Sequence, residues 1–226
     1  MRSLIRIETP DILLIQETKL EEKSFLQVSR NLWRKSGGQA ISVRGASGGL
    51  GALWNEDKLE LVNGKQNTHW QLMQLISRET REAFSLFNVY VPVNAGEKKQ
   101  CWDSIKLMAE EETLRNIIIT GDLNITLSSS EKRGGSIVRD PAREWVEDIM
   151  QYWDLLNIKP LKGKYTWSNK RIFPGHIAAR LDRFLIQSSY PLLGLEARML
   201  ILSCRDRKST RLNSSHQGTS RMPSSA

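Results

Sequence analysis

The sequence predicts an α/β sandwich, and three observations predict it. Eight short runs have strand character, near 11–17, 40–44, 49–54, 58–63, 69–77, 83–91, 115–120 and 179–187. Two longer segments carry helical periodicity instead, and Ala46-Ser47-Gly48-Gly49 makes a turn between two of the strands. With 39% hydrophobic residues, the chain is long enough for one domain with a sizeable core.

The elements follow in order. Residues 1–9 read as the tail of a helix stopped at Pro10, because the residue before a proline is turned away from helical backbone. Pro10–Thr18 is an apolar strand that ends on Gln16 and the carboxylate of Glu17. Asn88-Val89-Tyr90-Val91-Pro92-Val93-Asn94 is β-rich and closed by Pro92, with Asn94 leading into an Ala95-Gly96 turn. A helix fits Glu97–Leu114, with Trp102, Ile105 and Met108 on one face. Ile117–Thr120 is a β-branched run that Gly121 releases into a turn. Asp122 and Asn124 then sit just past a strand's end, where open α/β folds place their chemistry. A second helix is expected from Pro141 to about Leu156, with Asp140 as N-cap, Pro141 as first residue and Trp145, Ile149, Met150 and Trp153 as its apolar stripe. Last come Tyr165-Thr166-Trp167-Ser168-Asn169 and the strand Ala179–Ile186. Asp182 lies inside that strand, which is apolar on both faces, and a buried carboxylate needs a partner, a hydrogen-bond network or a metal.

Each signal has an ordinary reading. Gly-Asp-x-Asn is common turn composition, Tyr90 is also a plain strand aromatic, and Thr166 is also a β-former beside Trp167. Three carboxylates (Glu17, Asp122 and Asp182), several amides and a tyrosine at strand ends or in a buried strand point instead to one polar pocket.

In order along the chain, Gln16-Glu17-Thr18, Asn88-x-Tyr90-x-Pro92, Gly121-Asp122-Leu123-Asn124 and Arg180-Leu181-Asp182-Arg183-Phe184 resemble the endonuclease/exonuclease/phosphatase superfamily. Ser130-Glu131-Lys132-Arg133-Gly134-Gly135 and Lys164-Tyr165-Thr166-Trp167-Ser168-Asn169 resemble in particular the endonuclease domain of plant LINE-type (non-LTR) retrotransposons. The resemblance covers roughly residues 1–204. It implies two stacked sheets flanked by helices and metal-assisted hydrolysis of DNA phosphodiester bonds. In that scheme Glu17 ligates Mg²⁺ or Mn²⁺, and Asp122 positions or deprotonates the attacking water. Asn124 and Tyr90 hydrogen-bond the scissile phosphate, Thr166 contacts the DNA backbone, and Asp182 orients a catalytic histidine. Asn94 is a further substrate-binding candidate, although Val93 separates it from Pro92, where apurinic-site nucleases of the superfamily have Asn directly. The implied partners are DNA and a reverse transcriptase encoded downstream in an intact element. A monomer is expected.

The same resemblance expects an Asn-bearing strand before Met1 and a Ser-Asp-His beyond Cys204. His69, His176 and His216 are the chain's three histidines, and none stands in that setting; His69 reads as a solvated strand position. Asp206–His216 and Ser220–Ala226 back-translate onto the constant segments of a widely used sequencing-library adapter, so 206–226 reads as a non-native, disordered tail. The expected organisation is therefore a domain over residues 1–205, truncated at both ends. Its activity is expected to be impaired, the alternative being a dead fragment with at most nucleic-acid or phosphate binding. Without the tail's four basic residues and one acid, the net charge falls from +8 to +5. That mildly basic balance suits a phosphate backbone, with Lys132-Arg133, Arg139, Arg143 and Lys170-Arg171 near the motifs and Trp167 as a candidate DNA contact. Two cysteines without framework spacing, no leader and no membrane-length apolar run predict a nuclear or cytoplasmic protein, neither secreted nor membrane-bound.

Overall fold

The computed structural model describes residues 2–42, 48–136, 140–160, 163–172 and 174–189. Ala46, Ser47, Arg139, Cys204 and the 206–226 segment lie outside the described residues. The chain opens with α1 (Arg2–Glu8), β1 (Ile12–Gln16), α2 (Glu22–Leu32), β2 (Ser36–Ile41) and β3 (Leu50–Asn55). There follow β4 (Leu59–Gln66), β5 (Trp70–Ser77), β6 (Ala83–Tyr90), α3 (Ala95–Glu111) and β7 (Ile117–Asp122). A 3-10 turn (Ser129–Glu131) leads into β8 (Lys132–Arg133), α4 (Arg143–Tyr152), β9 (Leu155–Ile158), β10 (Trp167–Ser168), β11 (Ala178–Ala179) and β12 (Asp182–Gln187).

These elements make the expected α/β sandwich. One sheet has the order β1-β3-β2, the other β4-β5-β6-β7-β12-β9, and a small third sheet runs β10-β11-β8. Every pairing is antiparallel except β6 with β7. The central strands β5, β6 and β7 are buried along most of their length, which explains their near-continuous apolar sequence. On one face Met73, Leu75, Leu86, Ile118 and Ile186 pack against Ala52, Trp54, Ile12 and Leu14 of the first sheet. On the other, Leu72, Phe87, Val89, Ile119 and Leu185 pack against Trp102 and Ile105 of α3 and Val146 and Ile149 of α4. Helix α2 covers the outside of the first sheet through Phe25, which joins Ala40 and Leu53. No described helix is long and apolar enough to cross a membrane.

The structure departs from the sequence reading at several places. Helix α3 takes in Ala95 and Gly96 and ends at Glu111, and the run 179–187 is split between β11 and β12 in different sheets. Four further differences follow. Helix α2 was not expected, because its apolar positions are few and its buried face includes Ser29. Strand β2 begins at Ser36, ahead of the expected run. Its glycines lack strand propensity but are required there, since a Cβ on Gly37 would lie 2.3 Å from the Trp54 ring. The second expected helix is shorter at both ends. Asp140 Oδ1 accepts the Ala142 N–H at 2.9 Å, making a turn through Pro141 and Ala142 before α4 begins at Arg143. At the far end Leu155 already belongs to β9, paired with β12.

The last departure matters most for the site. Gly121 does not end its strand. β7 continues through it to Asp122, and Gly121 pairs with Val89 on one side and Arg183 on the other. Its φ of 135° is open to glycine, and a Cβ would fall 2.0 Å from the Val89 carbonyl oxygen. Gly121→Ala should therefore destabilise the fold by about 2 kcal/mol or more, measured by urea or thermal unfolding.

Candidate active site

Cross-strand register places the site. Leu86, Ile118 and Ile186 form one row across β6, β7 and β12; Asn88, Thr120 and Phe184 form the next; Tyr90, Asp122 and Asp182 form the last. Side chains directly opposite one another share a face. The Leu86 row packs on the first sheet, so the Tyr90 row faces the same way, at the mouth between the two sheets. Glu17, one residue past β1, closes the mouth from the other side. The Tyr90 hydroxyl donates to Glu17 Oε1 at 2.8 Å, joining the sheets. Directly beneath, Gln16 Nε2 donates to Asn88 Oδ1 at 2.7 Å, and Asn88 Nδ2 donates to Gly51 O at 3.2 Å and Gln71 Oε1 at 3.0 Å. This buried amide ladder fixes how the two sheets meet.

The turn after β7 is held as tightly. The Asn124 N–H donates to Asp122 Oδ1 at 2.9 Å, and Asn124 Nδ2 donates to Val91 O at 2.7 Å. Asn124 has left-handed backbone (φ 48°), as does Glu17 (φ 50°).

Thr166 is buried, and its Oγ1 accepts the N–H groups of Leu181 at 2.9 Å and Asp182 at 3.0 Å. It also hydrogen-bonds the Asp182 carboxylate. The hydroxyl therefore braces Asp182 and is not presented to a DNA backbone. Asn94 is exposed and caps α3, its Oδ1 accepting from the N–H groups of Gly96 at 2.9 Å and Glu97 at 3.3 Å. Among the described residues no hydrogen bond joins Asn94 to the carboxylates. The structure thus brings Glu17, Tyr90, Asp122, Asn124 and Asp182 together, attaches Thr166 behind them, and leaves Asn94 in a capping role.

Electrostatics follow from this geometry. Asp122 is pushed up to about 7, first by burial, then by the charge of Asp182, with Glu17 adding to it; the Asn124 N–H and the charge of Lys98 oppose the rise. Asp182 is also raised by burial, against the hydrogen bond from Thr166 and the charge of Arg183. The Tyr90 hydroxyl is raised by burial and by its bond to Glu17, so it remains a donor at neutral pH.

Sequence reasoning missed three contributors. Lys98 on α3 is buried, and its Nζ donates to Asn124 O and to Asp140 Oδ2, each at 2.6 Å. Glu131 joins Arg180 and the fully buried Arg183 in an ion cluster: Arg183 reaches both its oxygens, at 3.0 and 2.5 Å, and also Ile125 O at 3.0 Å. Burial alone would raise Glu131, but the two arginines and the Leu127 N–H hold it below its ordinary value. The signal was present, because Glu131 lies in the Ser130–Gly135 motif and both arginines flank Asp182, but spacing does not reveal the pairing. Third, the His69 carbonyl accepts the Tyr90 N–H at 2.8 Å, beside the site row.

Whether these residues suit a divalent cation can be judged from the same charges. No group of three or more Asp, Glu, His or Cys side chains among the described residues is placed to hold a metal by itself. Mg²⁺ needs less, because one or two carboxylates plus substrate phosphate oxygens and water complete its shell. Glu17 is exposed at the mouth, and Asp122 carries the repulsion of both Asp182 and Glu17. A cation there relieves that repulsion, so the donor set fits.

Sheet order and acidic mouth define a two-sheet α/β sandwich with a polar site at one end. The chain belongs to the Endonuclease/Exonuclease/phosphatase family, whose model matches residues 1–197. Among curated proteins it is similar to the transposon TX1 uncharacterized 149 kDa protein of Xenopus laevis, 26% identical over 122 residues. That match takes in 52% of this chain and 9% of the TX1 protein, so the chain spans a small part of that relative's length. Among solved structures it is similar to the endonuclease domain of TRAS1, a telomere-specific non-LTR retrotransposon, with TM-score 0.60, 14% identity and coverage of 81% of this chain and 76% of that one. It also resembles the 3′ phosphatase NExo from Neisseria bound to a product DNA hairpin, with TM-score 0.62, 16% identity and coverage of 97% and 90%. At these identities the two structures establish the fold.

Two outcomes are expected of the site. Asp122 binds a proton more tightly folded than unfolded, so its stabilising contribution is complete below pH 3.8 and is lost as pH rises towards about 7. The metal-free chain should lose stability from this group across that window, and Asp122→Asn should flatten the slope, read by thermal unfolding at a series of pH values. Glu131→Gln leaves two buried guanidinium groups without a counter-charge and should cost about 3–5 kcal/mol in a denaturant titration.

Proposed function

We propose that this chain is a retrotransposon-type endonuclease that nicks DNA by divalent-cation-assisted hydrolysis of a phosphodiester bond. The observation that carries this reading is the single row Tyr90–Asp122–Asp182 facing Glu17 across the mouth of the sandwich. Asp122, buried beside Asp182 at the mouth, is placed to accept a proton from an attacking water. Tyr90 stays protonated and, once Glu17 turns to a cation, would offer its hydroxyl to the phosphate, while Asn124 offers its second side-chain N–H from a turn locked on both sides. Asp182, braced by Thr166, is the group that would orient a histidine, the role its motif implies. Mg²⁺ or Mn²⁺ held by Glu17 would polarise the phosphate and offset the charge that develops on it.

The third sheet supplies a surface suited to the DNA backbone. Trp167 is 45% exposed, and Lys132, Arg133, Lys170 and Arg171 stand on or beside this sheet. The similarity to a transposon protein and to a non-LTR retrotransposon endonuclease domain supports a DNA substrate. A nick's free 3′ end would prime reverse transcription, so a reverse transcriptase is the partner this reading implies. Access to DNA places the chain in the nucleus or cytoplasm. The fold is taken to reside in residues 1–205, with 206–226 a non-native appendage.

The test is conversion of supercoiled plasmid to the relaxed form in Mg²⁺. Wild type, whose activity is expected to be impaired, should nick slowly, EDTA should stop it, and Asp122→Ala should abolish what remains. Equal nicking by wild type and Asp122→Ala would sink the role of Asp122. DNA binding without nicking by the wild type would leave the chain a binding fragment.

A further inference from the structure

We infer that Lys98 is a positioning residue for the Asp122–Asn124 turn: its ammonium, clamped between the Asn124 carbonyl and the Asp140 carboxylate, sets where the Asn124 side chain points. The inference rests on the proposed phosphate contact of Asn124, and it concerns a residue outside every motif that the sequence displays.

Lys98 lies one turn into α3, where the Asn94 cap fixes the helix start and the Lys98 N–H donates to Asn94 O at 2.8 Å. Only 4% of the residue is exposed. A buried ammonium is costly unless it is paired and hydrogen-bonded. Both of its partners lie at 2.6 Å, and neither belongs to α3. One is the backbone of the turn that carries Asp122 and Asn124. The other, Asp140, also accepts the Ala142 N–H at 2.9 Å and so leads into α4. The clamp therefore ties two helices to one carbonyl.

That carbonyl belongs to the residue that carries the proposed phosphate contact. Asn124 has φ 48°, a left-handed conformation that asparagine adopts more readily than most residues. Its N–H is tied to Asp122 Oδ1 and its side chain to Val91 O. Lys98 ties the remaining backbone group. An apolar side chain of similar length would fill the same space beside α4 but leave the carbonyl free to rotate, and with it the angle at which Asn124 meets a phosphate.

The experiment uses the full chain and two variants. Lys98→Met combined with Asp140→Asn removes both charges together, and Asn keeps an oxygen for the Ala142 N–H. Lys98→Arg retains the charge. Two readouts are taken: kcat and KM for plasmid nicking in Mg²⁺, and the backbone and side-chain amide resonances of Asn124 by ¹H–¹⁵N NMR. The double variant should unfold cooperatively, lose about a hundredfold in kcat and keep KM within about twofold, as expected for a displacement of roughly 1 Å at a reacting centre. Its Asn124 resonances should move, and Lys98→Arg should restore both readouts in large part. Unmoved Asn124 resonances, or an unchanged kcat, in a folded double variant would overturn the inference. An unfolded double variant would overturn it too, since the pair would then serve the fold. If the wild type does not nick but the Asn124 resonances move and are restored by Lys98→Arg, the positioning role stands and the proposed function fails.

Discussion

Strands β6 and β7 run parallel and remain paired to their last residues because Gly121 presents no side chain to the Val89 carbonyl. That close approach carries Asp122 level with Tyr90, and the antiparallel pairing of β12 brings Asp182 level with both. Three groups from three strands thus share one row on one face. With a side chain at position 121 the two strands would separate where the site is built. The row would then lose the register on which its chemistry depends.

The same register creates an electrostatic conflict. Asp122 and Asp182 are direct cross-strand neighbours, and like charges so placed repel. The surrounding structure holds them together by other means. Thr166 binds the Asp182 N–H and carboxylate, and the next residue, Arg183, points to the opposite face, where Glu131 receives it. Arg180 and Arg183 together tie Glu131, Ile125, Asn157 and Ile158 into one buried network behind the acids. Cross-sheet amides from Gln16, Asn88 and Gln71 do the same beneath Glu17 and Tyr90. The site is a set of mutually repelling groups held by neutral hydrogen bonds and by one distant ion cluster. A cation at the mouth offsets that repulsion.

Much of this was legible in the chain. Strands β3 to β7 and β12 announced themselves by β-branched and apolar runs, and helix α3 by the spacing of Trp102 and Ile105. Glu17, Asp122 and Asp182 stood out as acids at the ends of such runs or inside one. Most of what was not legible has a common cause: it depended on partners far away in sequence. The glycines of β2 make a strand because Trp54 lies over them, and α2 buries a serine because its face meets a sheet. Thr166 looked like a DNA contact until Asp182, sixteen residues on, proved to occupy its hydroxyl. Asn94 looked like a site residue because of the motif it follows, but its side chain serves the helix it starts.

By itself the sequence determined the layers and the acidic residues, because hydrophobic periodicity and side-chain chemistry are local properties read along the chain. Only the tertiary structure decided which groups face one another. Register across non-consecutive strands placed Tyr90, Asp122 and Asp182 in a row, and packing between the sheets set Glu17 against Tyr90. Burial then moved Asp122 towards neutrality and closed Lys98 onto the Asn124 carbonyl. Register, burial and charge coupling arise between residues 26 to 73 positions apart, and no local pattern encodes them.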